Sequence, residues 1–168
     1  RIENEAFYGC TGLKTIINLS NLTFSKGSSD YGYVAYYATE VINGYIDGYF
    51  IWYKTNNENV LAGYLGNATE LTLPTDNNGE NYAIGAHAFK GNTTITSITI
   101  PDSVTSIGEF AFENCTGLKT VINFSNLTFS KGSSNNGYIT YYADRVYNAP
   151  NGSIEGDFIF GKPNDVNT

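Results

Sequence analysis

Residues Ile2 to Asn43 recur as Ile107 to Asn148, so that Cys10 of the first copy becomes Cys115 of the second, 105 residues on. About two thirds of the aligned positions are identical, including all of Ser20 to Ser29 against Ser125 to Ser134. A shorter period is nested inside the long one. Ile84-Gly85 and Ala88-Phe89 return as Ile107-Gly108 and Ala111-Phe112, 23 residues later. Between them run Ile95, Ile98, Ile100, Pro101, Val104 and Ile107, the spacing of a short strand, a turn and a second buried segment. A unit this short cannot bury its own apolar face, so neighbouring units must stack to complete a core. The repeat therefore predicts a solenoid.

Past Asn43 the correspondence slips by three: Ile46, Asp47, Gly48, Phe50 and Ile51 match Ile154, Glu155, Gly156, Phe158 and Ile159, at an offset of 108. Four stretches follow. Residues 1–43 are coils with a short helix, 44–83 a β-hairpin insertion and loop, 84–148 regular coils and the second copy, and 149–168 the start of a second hairpin insertion. The helix is expected over Tyr33 to Ile42, where Val34, Tyr37, Ala38 and Val41 stand at i, i+3, i+4 and i+7. In the insertion, Tyr45 to Tyr53 reads as one strand, Asn56 to Asn59 as a turn, Val60 to Tyr64 as the partner strand, and Leu71 to Leu73 as a further strand closed by Pro74. Thr168 aligns with Val60, so a continuation resembling Leu61-Ala62-Gly63-Tyr64 is expected in a longer parent chain, and the lack of any Met is read the same way.

Charge narrows the partners. Lys plus Arg number 9 against 16 Asp plus Glu, a net charge of -7. Nucleic acid is disfavoured, because phosphate contacts need clustered basic residues. No window approaches the roughly 18 apolar residues of a spanning helix, so no membrane insertion is expected. Cys10 and Cys115 sit in the same local text, Cys-Thr-Gly-Leu-Lys-Thr, and several coils apart they cannot bridge. Both read as buried small apolar residues.

Candidate chemistry is sparse. His87 is the lone side chain that titrates near neutral pH unperturbed, but its counterparts Phe110 and Glu5 mark a variable slot. Ser25 to Ser29 lacks the glycine spacing of a phosphate loop and suits a structural turn. Asp76-Asn77-Asn78-Gly79-Glu80 carries oxygen ligands around a glycine, at a spacing that matches no calcium signature. No catalytic residue, metal site or cofactor is expected, and the chain is read as non-enzymatic.

Aromatic residues are 15% of the chain, and tyrosine leads with 14, which makes this class the place to look for binding. Comparing the two copies of the insertion, Ile46, Phe50 and Trp52 stay apolar as Ile154, Phe158 and Phe160 and are expected to face the core. Asp47, Tyr49 and Tyr53 change to Glu155, Asp157 and Gly161, so these three are the expected ligand-binding face, suited to stacking on a sugar or anchoring a protein.

The text Ile95-x-x-Ile98-x-Ile100-Pro101-x-x-Val104-x-x-Ile107-Gly108-x-x-Ala111-Phe112-x-x-Cys115-x-x-Leu118 resembles the BspA-type leucine-rich repeat of bacterial surface proteins. The likeness covers Ile84 to Val121 and returns at Ala6-Phe7-x-x-Cys10-x-x-Leu13. It breaks down over Asn18 to Ser29 and Asn123 to Ser134, where Asn123 takes the place of Ile100. The resemblance implies a β-rich α/β solenoid of leucine-rich-repeat coils of about 23 residues, with the short helices and inserted hairpin above. It also implies a non-catalytic segment of an exported bacterial protein at the cell surface or outside the cell. Its expected role is adhesion or protein binding, with host matrix proteins or other surface proteins as partners. A glycan-binding module and a passive spacer are the alternatives.

Overall fold

The computed structural model describes residues 2–150, 152–155 and 158–160. Twelve strands are formed: β1 (Thr15–Asn18), β2 (Glu40–Asp47), β3 (Phe50–Thr55), β4 (Glu58–Tyr64), β5 (Glu70–Thr72), β6 (Tyr82–Ile84), β7 (Ser97–Ile100), β8 (Val104–Ile107), β9 (Thr120–Asn123), β10 (Arg145–Asn148), β11 (Ser153–Glu155) and β12 (Phe158–Phe160). They make a six-stranded sheet in the order β1-β2-β3-β4-β6-β8, a four-stranded sheet in the order β10-β9-β7-β5, and the pair β11-β12.

Each regular coil gives one strand to each large sheet. The chain runs from β6 in the first sheet to β7 in the second, back to β8 and on to β9, with every step along a sheet parallel. Leu71, Ile98, Val121 and Val146 stand abreast in the four-stranded sheet, 27, 23 and 25 residues apart. Ile95, Ile98, Ile100, Val104, Ala111, Phe112, Cys115 and Leu118 point into the space between the sheets and are buried. Each large apolar side chain there contributes roughly 1.5–3 kcal/mol relative to exposure. Backbone bonds also join successive coils at the corners, Phe89 N to Ala111 O at 2.8 Å and Phe112 N to Gly137 O at 2.7 Å. Inside the corner the Phe89 and Phe112 rings stack in parallel, 4.8 Å apart.

The irregular coils replace apolar filling with a polar plug. Asn123 is fully buried. Its Oδ1 accepts from Ser125 N at 3.0 Å and Ser125 Oγ at 2.6 Å, and its Nδ2 donates to Leu127 O at 2.6 Å and to Asn148 Oδ1 at 3.0 Å. Asn18 repeats the arrangement with Ser20, Leu22 and Asn43. The departure from the regular text at Asn123 is thus a second way of closing a coil.

The expected short helices are not formed, and the α/β description is corrected to a β-solenoid. Helical hydrogen bonding among the described residues is confined to Asp30–Tyr33 and Asn136–Tyr138, and both contain left-handed residues. Gly32 and Gly137 have φ of +66° and +64°, and a Cβ on Gly137 would stand 2.5 Å from Gly108 O. The backbone turns left there so that the coil can close onto its neighbour. The stripe seen in the sequence does bury Val34 and Ala38, but Val41 belongs to β2, held by parallel pairing to Ile16 of β1. Pairing across coils outcompetes a lone helical turn, which has few bonds of its own.

The insertion also differs from a simple hairpin. Residues 45–53 are two strands joined by a two-residue turn, Gly48-Tyr49, with Gly48 at φ +55°. The second turn, at Asn56-Asn57, joins β3 to β4. Folding back at Gly48 inverts the parity expected for a continuous strand. Trp52 and Phe50 do face the core, but Ile46 pairs with Ile51 on the opposite face and is 50% exposed. The second copy repeats this hairpin in the same register: Ile154 pairs with Ile159 and Glu155 with Phe158. β2 runs unbroken, whereas β10 ends at Asn148 and β11 begins at Ser153. This break lies where the sequence offset changes, beside Pro150, which has no N–H for a ladder.

The Asn123 plug gives a direct test. Asn123→Ala leaves the Leu127 carbonyl and Ser125 donors buried without partners, and is expected to cost about 3 kcal/mol, which lowers Tm by about 6–12 °C. Asn126→Ala, at an exposed neighbouring position, is expected to change stability by less than about 0.5 kcal/mol. Equal Tm shifts for the two would refute the plug.

Candidate functional site

The solvent face of the six-stranded sheet follows from its register. Tyr53 lies opposite Gly44 on β2 and Val60 on β4, and Val60 lies beside Ala83 on β6. The alternation then places Glu40 and Ile42 on the face of Gly44, and Glu58 and Ala62 on that of Val60. These positions enclose a trough of about 300 Å³ lined by Thr15, Ile17, Glu40, Tyr53, Ala62, Gly85, Ala86 and His87. Its floor is made of small residues and its rim carries a carboxylate, a phenol and an imidazole. Burial raises the Tyr53 phenol above its usual range, and the charges of Glu40 and Glu58 push it in the same direction. The potential at this end of the trough is negative.

The three residues expected to share a binding face are separated. Tyr53 lines the trough. Tyr49 sits at the tip of the hairpin and is 65% exposed, with its ring edge to face against Tyr64, 6.5 Å away. Tyr64 packs in turn on Phe50 and Phe89, on the core side of the strand. Asp47 is exposed across from Phe50, at the same tip. The inverted parity at Gly48 is the reason.

A row of rings leads away from the trough, beginning at His87. His87 stacks on Phe110 with centroids 5.6 Å apart, and Phe110 on Tyr138 at 5.8 Å, with interplanar angles of 8° and 24°. Lys90 Nζ lies 6.0 Å from the Phe110 centroid and 2.6 Å from Glu113. The signal for this row was present in the period that aligns His87 with Phe110: residues in one slot of successive coils lie one above the other.

The other candidates are absorbed by structure. In the 76–80 loop, Asp76 Oδ1 accepts from Gly79 N at 2.7 Å, and Glu80 is held by Lys54 and Asn59, each at 2.8 Å. In the Ser25–Ser29 turn the Gly27 N–H is bound to Ala35 O. Among the described residues no group of three or more His, Cys, Asp or Glu could share a metal ion, and no helix is long and apolar enough to cross a membrane.

A family profile described as BspA type leucine rich repeat region matches in six copies, over residues 1–43 and 64–137. The chain belongs to this family. The matched stretches are the stacked coils, and the interruption at 44–63 holds most of the β2-β3-β4 meander. Among solved structures, a leucine rich cell surface protein from Faecalibacterium prausnitzii is 26% identical, with a TM-score of 0.46 over 61% of this chain and 32% of that one. A leucine-rich repeat protein from Bacteroides capillosus is 27% identical, also with a TM-score of 0.46, over 62% of this chain and 96% of that one. The chain thus spans about a third of the first protein's length. No curated protein matches it.

The BspA-type coils explain why the two cysteines differ. Cys115 is covered by the preceding coil, with its Sγ 3.1 Å from Phe89 O, and burial pushes its pKa up to about 11. Cys10, expected to be buried, is exposed. At pH 8 one thiol per native chain is expected to react within minutes with Ellman's reagent, and the second only after denaturant is added. Two fast thiols in the native chain would contradict the packing around Cys115.

Proposed function

We propose that this chain is a non-catalytic segment of an exported bacterial cell-surface protein, and that it binds proteins through the solvent face of its six-stranded sheet. The observation that carries the reading is apolar surface left uncovered there. Ile46 is 50% exposed and Leu19 44%. Ile17 lines the trough and also an apolar groove of about 430 Å³ at the β1 edge, where Ile2 and Phe24 pack on the Ile16 core cluster. A solvated sheet face would alternate to polar side chains, and contiguous exposed apolar surface rimmed by polar groups marks an interaction site. Host matrix proteins are the partner class that the family resemblance supplies, and a surface location fits the description of the Faecalibacterium prausnitzii protein.

A glycan contact has one observation in its favour, the exposed Tyr49 ring beside Asp47 at the hairpin tip.

The test is to display the chain multivalently on beads against immobilised matrix proteins and a glycan array, since avidity can raise weak binding by about 10²–10⁴. Saturable protein binding that Ile46→Asp and Tyr53→Ala each reduce at least about tenfold is expected, a loss within the range of a buried anchor residue. Binding confined to glycans and abolished by Tyr49→Ala would transfer the function to the hairpin tip. Silence on both surfaces from folded protein would leave the chain a spacer.

A further inference from the structure

The trough sits in the middle of the proposed protein-binding face, and its chemistry is more specific than apolar contact. Ile17 and Ala62 give its lining apolar surface, and Glu40 and Tyr53 add a carboxylate and a phenol. Glu40 makes no ion pair or side-chain hydrogen bond among the described residues, and Glu58 shares its face of the sheet. The nearby cation of the meander, Lys54, is paired with Glu80 at 2.8 Å and stands at the opposite parity to Tyr53. A groove with apolar surface and an unneutralised carboxylate in its lining matches a long side chain that is apolar along its stem and positive at its head. The chain's net charge of -7 draws cationic partners in the same sense.

We propose that the trough between β1, β2, β3, β4 and the end of β6 seats a lysine or arginine side chain of the protein partner, its stem on Ile17 and Ala62 and its cationic head on Glu40 and the Tyr53 hydroxyl. This assignment rests on the reading of the sheet face as a protein-binding surface. At about 300 Å³ the trough holds one such side chain and no folded element. The partner's anchor is therefore a single basic residue on an exposed loop or extended segment. Arginine suits a carboxylate and a phenol oxygen in one lining better than lysine, because its guanidinium carries five donors in a fixed fork.

The experiment titrates Nα-acetyl-arginine amide, Nα-acetyl-lysine amide and the uncharged Nα-acetyl-norleucine amide into the isotope-labelled full chain, followed by amide NMR shifts. Saturable shifts at Glu40, Tyr53, Ala62 and Gly85 are expected with the two cationic probes, and none with norleucine amide. Glu40→Gln, which keeps size and removes charge, is expected to weaken arginine binding at least about tenfold. Ala62→Leu, which fills the floor, is expected to abolish it, with the remaining spectrum reporting that the chain is folded. Asp102→Asn, an equal charge change at an exposed position outside the trough, is expected to leave binding unchanged. No shift at the trough, or equal shifts in the Glu40→Gln chain, overturns the proposal. The two readings separate cleanly. Protein binding on beads that resists both Glu40→Gln and excess arginine amide sinks the anchor and leaves the surface. Arginine binding at the trough without any protein partner sinks the surface reading and leaves the site.

Discussion

Parallel pairing between successive coils is the interaction on which the rest of this molecule depends. A coil of about 23 residues has no interior of its own, and its apolar side chains are buried only when the next coil closes over them. Backbone bonds in both sheets and at the corners hold neighbours at strand spacing, and that spacing lets Phe89 lie flat on Phe112. Cys115 and Cys10 share one sequence context, yet Phe89 of the preceding coil covers the first while the second is exposed. Burial here is a property of position in the stack before it is a property of the residue.

The same dependence explains which residues close a coil. In the regular text the turn out of the four-stranded sheet is filled by Ile100 and Pro101, both buried. In the irregular text the chain takes a longer route between β9 and β10, and apolar filling alone would leave the carbonyl of Leu127 and the backbone of Ser125 without partners. Asn123 satisfies them with one side chain and passes a further bond to Asn148. A buried amide is costly alone but stabilising when every donor and acceptor is matched. Two asparagines in one slot of successive coils are therefore a structural signature, repeated at Asn18 and Asn43.

Much of the stack was legible from the sequence, and the failures have two causes, one long-range and one local. Ile95, Ile98, Ile100 and Val104 identify their own burial because their spacing repeats a coil that recurs. The helix expected over 33–42 fails because a helical stripe and a turn followed by a strand can bury the same residues, Val34 and Ala38, and only the neighbouring coil decides between them. Ile46 takes the opposite face because a turn at Gly48 inverts every later parity, and Asp47-Gly48 between apolar residues is the hairpin signal that a reading of nine residues as one strand passes over. For the same reason Tyr49 and Tyr53 were put on one face. The stacking of His87 on Phe110 was accessible from the period but needed the recognition that equal slots lie one above another. The helix is overruled by a partner distant in sequence, Ile16 of β1, whereas the face of Ile46 is set by a local turn.

The meander is what converts a repetitive stack into a surface with a site. A regular coil gives each sheet a short strand, and on β8 the exposed positions are Thr105 and Ser106, which is a solvated edge. Lengthening β2 and folding it back twice brings Glu40, Tyr53 and Ala62 beside Gly85 and His87 of the regular array, residues that no single coil could assemble. The bulge between Ile51 and Trp52, where Gly63 pairs with Ile51 and Leu61 with Trp52, bends this strand pair and keeps Trp52 in the core while Tyr53 faces out. Rigidity comes from the stack and chemical variety from the insertion. Because the insertion is the part of the repeat that changes most between the two copies, the rows beneath can stay constant while the face above them is altered. The three-residue slip at Pro150 shows this freedom directly, since it separates the hairpin from the coil without disturbing the pairing of either.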